Sequence, residues 1–126
     1  MAAPAIARVH TTCAVLMLLG GLAHMAATLF FPERSGLEAI FLFGFGMGLC
    51  YLGLLNLALP HAPAAPGRLR IALHLANLAM LAFSVVLTVH APRAPQLYVL
   101  IATTLALTLT AAVRRNDAGD GAAGRG

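Results

Sequence analysis

Four long apolar runs, separated by short polar segments, dominate the pattern of this chain. All charged residues and all seven prolines lie outside these runs. A helix needs about 20 residues to cross the hydrocarbon core of a bilayer, with a range of about 17 to 25, and each run falls within that range. Because proline disrupts a helix interior, its placement supports the same division. The pattern predicts four transmembrane helices, over residues 11–31, 39–59, 71–89 and 97–113.

The composition supports a membrane protein. Apolar residues make up 60% of the 126 residues and charged residues 10%, whereas soluble domains average about 45–50% and roughly 25%. A chain of this length cannot hide so much apolar surface in one core, so the excess must face lipid. We therefore expect an all-α, four-helix transmembrane bundle over residues 1–115. The tail 116–126, rich in Gly, Ala and charge, is predicted to be disordered.

The charges predict the topology rather than a nucleic-acid partner. The net charge of +4 comes from arginines that are spread over helix ends and not clustered on one surface. By the positive-inside rule, the end with more arginines faces the cytoplasm, which places both termini there. The first apolar run exceeds the about 7–15 residues of a signal-peptide core, so we expect it to be retained. The lysine-free, Ala- and Arg-rich composition is typical of a GC-rich bacterium and favours a multi-pass protein of its inner membrane. The arginines at the predicted cytoplasmic helix ends are Arg8, Arg68, Arg70, Arg114 and Arg115, and those at the opposite helix ends are Arg34 and Arg93.

Polar residues inside the spans gather on one side of three helices. Such groups are costly against lipid, so we expect them to point into the bundle. The 1.5 Å rise per residue places Asn56, His74 and Asn77 at one inner depth, with His10 as a further candidate. The same estimate gives a second, outer layer farther from the cytoplasm. Its predicted members are His24, Thr28, Ser84 and Thr88, with Glu38 as a further candidate.

Helix 2 carries a close-packing motif. Gly44 and Gly48 form a GxxxG pair, with a further glycine at Gly46. Membrane helices associate through small residues of this kind. The motif predicts either helix packing within one bundle or the seam of a homodimer.

The candidate functions fall into separate classes. One interpretation is a non-enzymatic bundle, alone or as a subunit of a larger membrane assembly, whose polar residues hydrogen-bond across helices. The alternative is a small-solute or proton transporter with a path lined by His24 and His74, because intramembrane ionisable groups often mark such paths. The sequence has no phosphate loop, H-E-x-x-H pair or nucleophile elbow. We therefore expect no enzyme, no catalytic residues and no metal site.

One spacing resembles a known family. His10 and His24 are 14 residues apart and share a helix face, which is similar to the two-haem ladder of membrane b cytochromes. The resemblance implies a third class, a b-type haem electron carrier with axial histidines. Helix 3 does not complete the pattern, since His74 and His90 differ by about 160° around the helix. Without that second pair we expect no cofactor, with haem as the exception to test.

Overall fold

The structure, a computed structural model, consists of helices joined by short connections. Its backbone is described for residues 2–30, 36–62 and 66–123, and its side chains for 4–30, 36–62 and 66–113. A short 3-10 helix, Leu59–His61, continues the second helix. Among the described residues there is no strand. The four α-helices are α1 (Ala2–Phe30), α2 (Gly36–Ala58), α3 (Gly67–His90) and α4 (Pro95–Ala123).

All four helices are long and apolar enough to cross a membrane. This confirms the predicted all-helical fold with four candidate spans. The helices are longer than the predicted spans, because a helix can continue past the hydrocarbon and expose its charged residues to water. α1 begins at Ala2, so His10 lies well inside it. α4 continues as helical backbone to Ala123, into the tail predicted to be disordered. Disorder of 116–126 stays a prediction, and residues 124–126 lie outside the described part.

Two prolines fall where a helix tolerates them. Pro95 is the first residue of α4, where its missing N–H would have no partner within the helix. Pro60 lies in the 3-10 helix that ends the α2 segment. The prolines thus separate the spans, as the sequence indicates.

Among the described residues, α1 and α2 pack together most extensively. A Cβ atom added to Gly46 would lie 2.7 Å from the Gly21 carbonyl oxygen, and one added to Gly21 would lie 2.6 Å from that of Gly46. One added to Gly53 would lie 2.9 Å from the Ala14 carbonyl oxygen. The two helices run antiparallel, so Gly21 meets Gly46 while Ala14 meets Gly53. Glycine at positions 21, 46 and 53 allows this approach, and Ala14 contributes its backbone carbonyl oxygen. We call this contact the α1–α2 seam (Ala14, Gly21, Gly46 and Gly53).

The other helices surround this pair unevenly. α4 packs against both α1 and α3, whereas α2 and α3 approach each other at few positions. Between them lies an apolar groove of about 530 Å³. From α2 it is lined by Gly44, Gly48 and Tyr51, and from α3 by Ala76 and Ala79, among others. We call this opening the α2–α3 groove.

The distribution of burial is the reverse of that in a soluble protein. Large apolar side chains such as Leu29, Phe30 and Val89 are at least 72% exposed. The interior holds at least as many polar as apolar side chains. A surface of this kind suits lipid, where apolar side chains need no burial. The buried polar residues are His10, Asn56, Asn77, Ser84, Thr103, Thr104, Thr108 and Thr110.

Candidate functional site

His10 joins three helices from its position near the start of α1. Its Nε2 atom lies 3.0 Å from the backbone oxygen of Asn56 on α2. A carbonyl oxygen can only accept, so Nε2 carries the hydrogen. Its Nδ1 atom lies 2.8 Å from the Thr110 hydroxyl oxygen on α4. The side chain is 3% exposed, so these contacts replace water at both ring nitrogens.

Asn56 and Asn77 form a reciprocal amide pair between α2 and α3. The Asn56 Nδ2 group donates to Asn77 Oδ1 at 2.9 Å, and the Asn77 Nδ2 group donates to Asn56 Oδ1 at 3.0 Å. Asn56 Nδ2 also donates to the Leu52 carbonyl oxygen at 2.8 Å. Both side chains are fully buried. Asn56 thus uses both of its amide hydrogens, which fixes the orientation of the pair.

These contacts connect all four helices. Thr110 on α4 meets His10 on α1, His10 meets Asn56 on α2, and Asn56 meets Asn77 on α3. We call these four residues the inner network. Within the described part of the chain, no buried side-chain nitrogen or oxygen lacks a hydrogen-bond partner. Buried polar groups that are satisfied in this way hold helices together without water.

The inner network contains two of the predicted inner-layer residues and His10, the further candidate. Asn56 and Asn77 are in direct contact. His74 is only half-buried and has no hydrogen bond to another described residue. On α3 the buried residues are Leu73, Asn77 and Ser84. His74 lies about 100° around the helix from Leu73, which turns it towards the edge of the bundle.

The predicted outer-layer residues bond within their own helices. The His24 Nδ1 atom lies 3.1 Å from the Gly20 carbonyl oxygen, and the Thr28 hydroxyl donates to the Met25 carbonyl oxygen at 2.6 Å. The Ser84 hydroxyl donates to the Met80 carbonyl oxygen at 2.7 Å. Ser84 is buried, whereas His24 and Thr28 are half-buried. The structure therefore does not join these three residues to one another by hydrogen bonds. The remaining member, Thr88, donates to the Ser84 carbonyl oxygen at 2.8 Å.

His24 contacts a neighbouring helix through its ring instead. The ring lies edge-on to Phe45 of α2, with centroids 5.3 Å apart. Phe45 in turn contacts Phe83 of α3 at 5.7 Å. Edge-on pairs at such distances are favourable packing contacts. These three rings bridge α1, α2 and α3 on the side of the groove away from the connection between α2 and α3.

The predicted glycine pair lies outside the bundle packing. A Cβ atom added to Gly44 or Gly48 would have no atom within 4 Å, and both residues are exposed. The glycines that pack in the bundle are those of the α1–α2 seam. Gly46 is two residues from Gly44, about 200° around the helix, and therefore on the opposite face.

The buried threonines on α4 are not among the residues predicted from the sequence. Thr103, Thr104, Thr108 and Thr110 are buried. The first three each donate the hydroxyl hydrogen to a carbonyl oxygen of α4 itself. The single hydroxyl hydrogen of Thr110 goes to His10 Nδ1, because Nε2 carries the hydrogen of that ring. A hydroxyl bonded to its own helix is only weakly polar, so threonine in an apolar run carries little directional signal. The recurrence of threonine in successive turns of α4 is the feature of the sequence that could have indicated a buried polar face.

The arrangement bears on the metal and haem hypotheses. Within the described residues, no three His, Cys, Asp or Glu side chains are grouped to hold a metal ion. An axial haem ligand needs a ring nitrogen for the iron. Both nitrogens of His10 already face hydrogen-bond partners. Iron binding at His10 would therefore require the inner network to open.

Comparison with known proteins adds no assignment to this geometry. Neither the protein-family models, nor the curated proteins, nor the solved structures contain a match to the chain. The function must therefore be argued from the inner network, the α1–α2 seam and the α2–α3 groove.

Proposed function

We propose that the protein is a non-enzymatic bundle of the bacterial inner membrane that acts as a subunit of a membrane assembly. The observation that supports this most is the inner network, in which His10, Asn56, Asn77 and Thr110 tie the four helices together. In this proposal the intramembrane polar residues hold the fold, and the lipid-facing surface binds partners. Both termini face the cytoplasm.

The hydrogen bonds of the network favour a structural role over transport. A proton or solute path needs polar groups that can exchange partners with water or substrate. Asn56 has no amide hydrogen to spare, because its two are donated to Asn77 and to the Leu52 carbonyl oxygen. The two histidines that would line a path, His24 and His74, lie outside the network. A rigid, satisfied interior is what a scaffold requires.

The surface supports the subunit role. The outer face of α2 presents glycines that no helix of the bundle covers, and the α2–α3 groove lies beside them. Close helix packing in membranes depends on such small residues. The arginine distribution supports the topology: Arg8, Arg68 and Arg70 are exposed at the same end of the bundle.

Purified protein in mild detergent and in liposomes tests the proposal. We expect a particle that contains at least one chain in addition to the 13.0 kDa protein. The additional chain is either a second copy or a different protein. We also expect proton and solute flux no greater than in empty liposomes, and no haem absorption band. The variants His24→Leu and His74→Leu serve as matched controls for flux. Flux in the wild type that either variant abolishes would overturn the proposal in favour of transport, and a Soret band that His10→Leu abolishes would overturn it in favour of a haem carrier.

A further inference from the structure

We infer that the outer face of α2 is the interface of a homodimer, in which α2 packs against α2 of a second copy. This inference rests on the proposed subunit role and names the partner. It depends on three features of that face: an unused glycine pair, a regular pattern of exposed side chains, and a hydroxyl without a hydrogen-bond partner.

The glycine pair leaves room for a helix at close range. Gly44 and Gly48 are exposed, and no atom lies within 4 Å of where their Cβ atoms would be. The bundle uses other glycines for its own packing. The spacing of four residues puts both on one side of α2, where a second backbone can approach as closely as α1 does at Gly46.

The exposed residues around this pair follow a coiled-coil spacing. Steps of four and three residues, alternating, connect exposed positions along the whole of α2. Such spacing produces a straight seam against a parallel or antiparallel helix. Two large side chains lie on each side of the glycine pair, so the face holds both projections and a recess. The positions are Leu37, Phe41, Gly44, Gly48, Tyr51 and Leu55.

Tyr51 distinguishes a protein partner from lipid. It is 60% exposed and lies about 6 Å along the helix axis from the α2 midpoint, deep in the hydrocarbon. No described residue accepts a hydrogen bond from its hydroxyl. Interfacial tyrosines place that group among lipid headgroups, which Tyr51 cannot reach from this depth. Acyl chains offer no acceptor, whereas a helix packed across glycines presents accessible carbonyl oxygens.

The second copy fits this face because the face complements itself. A twofold interface uses the same patch on both chains, so each projection must find a recess in that patch. Phe41, Tyr51 and Leu55 are the projections. Gly44, Gly48 and the adjoining α2–α3 groove are the recesses, and Ala76 and Ala79 keep the α3 wall of the groove low. A parallel α2–α2 contact also leaves both chains with one orientation in the membrane.

A cysteine scan in native membranes tests the interface directly. In a background with Cys13→Ala and Cys50→Ala, single cysteines replace residues 41, 44, 48, 51 and 55 on the proposed face, and residues 43 and 54 beside it. We expect oxidation to link two chains most strongly at 44 and 48, with little linkage at 43 and 54. Strong linkage at Val99→Cys or Leu109→Cys on α4, with none on α2, would overturn the inference.

A glycine comparison gives an independent readout of mass. We expect wild-type protein in lipid nanodiscs to contain two chains, and Gly44→Leu/Gly48→Leu to contain one. Gly20→Leu is the matched control, because Gly20 on α1 has the same open space around its Cβ position. Circular dichroism of the double variant should match the wild type, because within one chain a Cβ atom at either glycine has no atom within 4 Å. Equal loss of the dimer in Gly20→Leu would contradict the assigned face.

The tyrosine hydroxyl gives the smallest test. Tyr51→Phe should weaken dimerisation roughly eight-fold, because each of two symmetric hydrogen bonds contributes about 2.8-fold. An unchanged dissociation constant would contradict the assignment of Tyr51 to the interface. A monomeric wild type would overturn the homodimer. An assembly built from different chains would overturn the homodimer but keep the subunit role. A monomer that conducts protons would overturn both.

Discussion

The two faces of α2 differ sharply although both carry glycines. On the inner face, Gly46 and Gly53 lie so close to α1 that a Cβ atom at either would meet backbone atoms within 3.0 Å. On the outer face, Gly44 and Gly48 have no atom within 4 Å of the same position. The helix thus has one face matched to its own bundle and one left open.

The comparison shows that a glycine motif does not by itself identify the packed face. Gly44 and Gly48 have the four-residue spacing of GxxxG, but the bundle packs through glycines seven residues apart. A spacing of seven returns to nearly the same side of the helix after two turns. Which side meets the neighbour depends on the rotation of the helix about its axis.

The largest expected effect separates the two faces directly. Gly46→Leu places a side chain against the α1 backbone, and we expect a loss of about 3 kcal/mol in the free energy of unfolding. Gly44→Leu should change the stability of a single chain by less than about 0.5 kcal/mol. Unfolding in an SDS titration, at concentrations where the chain is monomeric, measures both. Equal destabilisation by the two substitutions would remove the distinction between the faces.

The next effect concerns polar groups on the same two faces. Asn56→Leu leaves the Asn77 amide buried without its partner, which should cost about 1–3 kcal/mol. Tyr51→Phe on the outer face should leave the stability of a single chain unchanged. In a double-mutant cycle, Asn56→Leu with Asn77→Leu should cost less than the sum of the two single changes, because no orphaned amide remains. Additive costs would show that the reciprocal pair does not form.

A smaller effect should distinguish the histidines. His10→Leu removes contacts from α1 to both α2 and α4, so we expect a loss of about 1–2 kcal/mol. His24→Leu and His74→Leu should each cost less than about 0.5 kcal/mol, because neither has a hydrogen bond to another helix. The same unfolding assay ranks the three variants. A larger loss for His74→Leu than for His10→Leu would restore the inner layer expected from the sequence.

The smallest effect is expected at the outer hydroxyls. Thr28→Val and Ser84→Ala remove hydroxyls that bond only to carbonyl oxygens of their own helices. Such bonds contribute little to helix association, so each change should stay within about 0.5 kcal/mol. A larger change in Thr28→Val would point to a partner for Thr28 on another helix.

The spans and the shared depth of the asparagines could be predicted from the sequence. Uncharged runs bounded by proline determine where helices cross lipid, and the rise per residue places Asn56 level with Asn77 without any knowledge of packing. Both inferences use the position along a helix axis. That coordinate follows from counting residues.

The rotation of each helix could not be predicted in the same way. A membrane helix is apolar on all sides, so hydrophobic periodicity does not mark the face that packs. For this reason Gly44 and Gly48 were expected to pack in a bundle or dimer without a choice between them. His74 was likewise expected in the layer that His10 occupies. Tertiary contacts determine both outcomes: those of α1 with α2 for the glycines, and those of α3 with α2 and α4 for His74.

The contact between His10 and Thr110 joins residues one hundred positions apart in the chain. During synthesis, the hairpin of α1 and α2 can close its glycine seam long before α4 leaves the ribosome. The His10 ring then has its α2 acceptor but must wait for Thr110 until almost the whole chain is made. The arrival of α4 is therefore the step that completes the polar interior of the bundle.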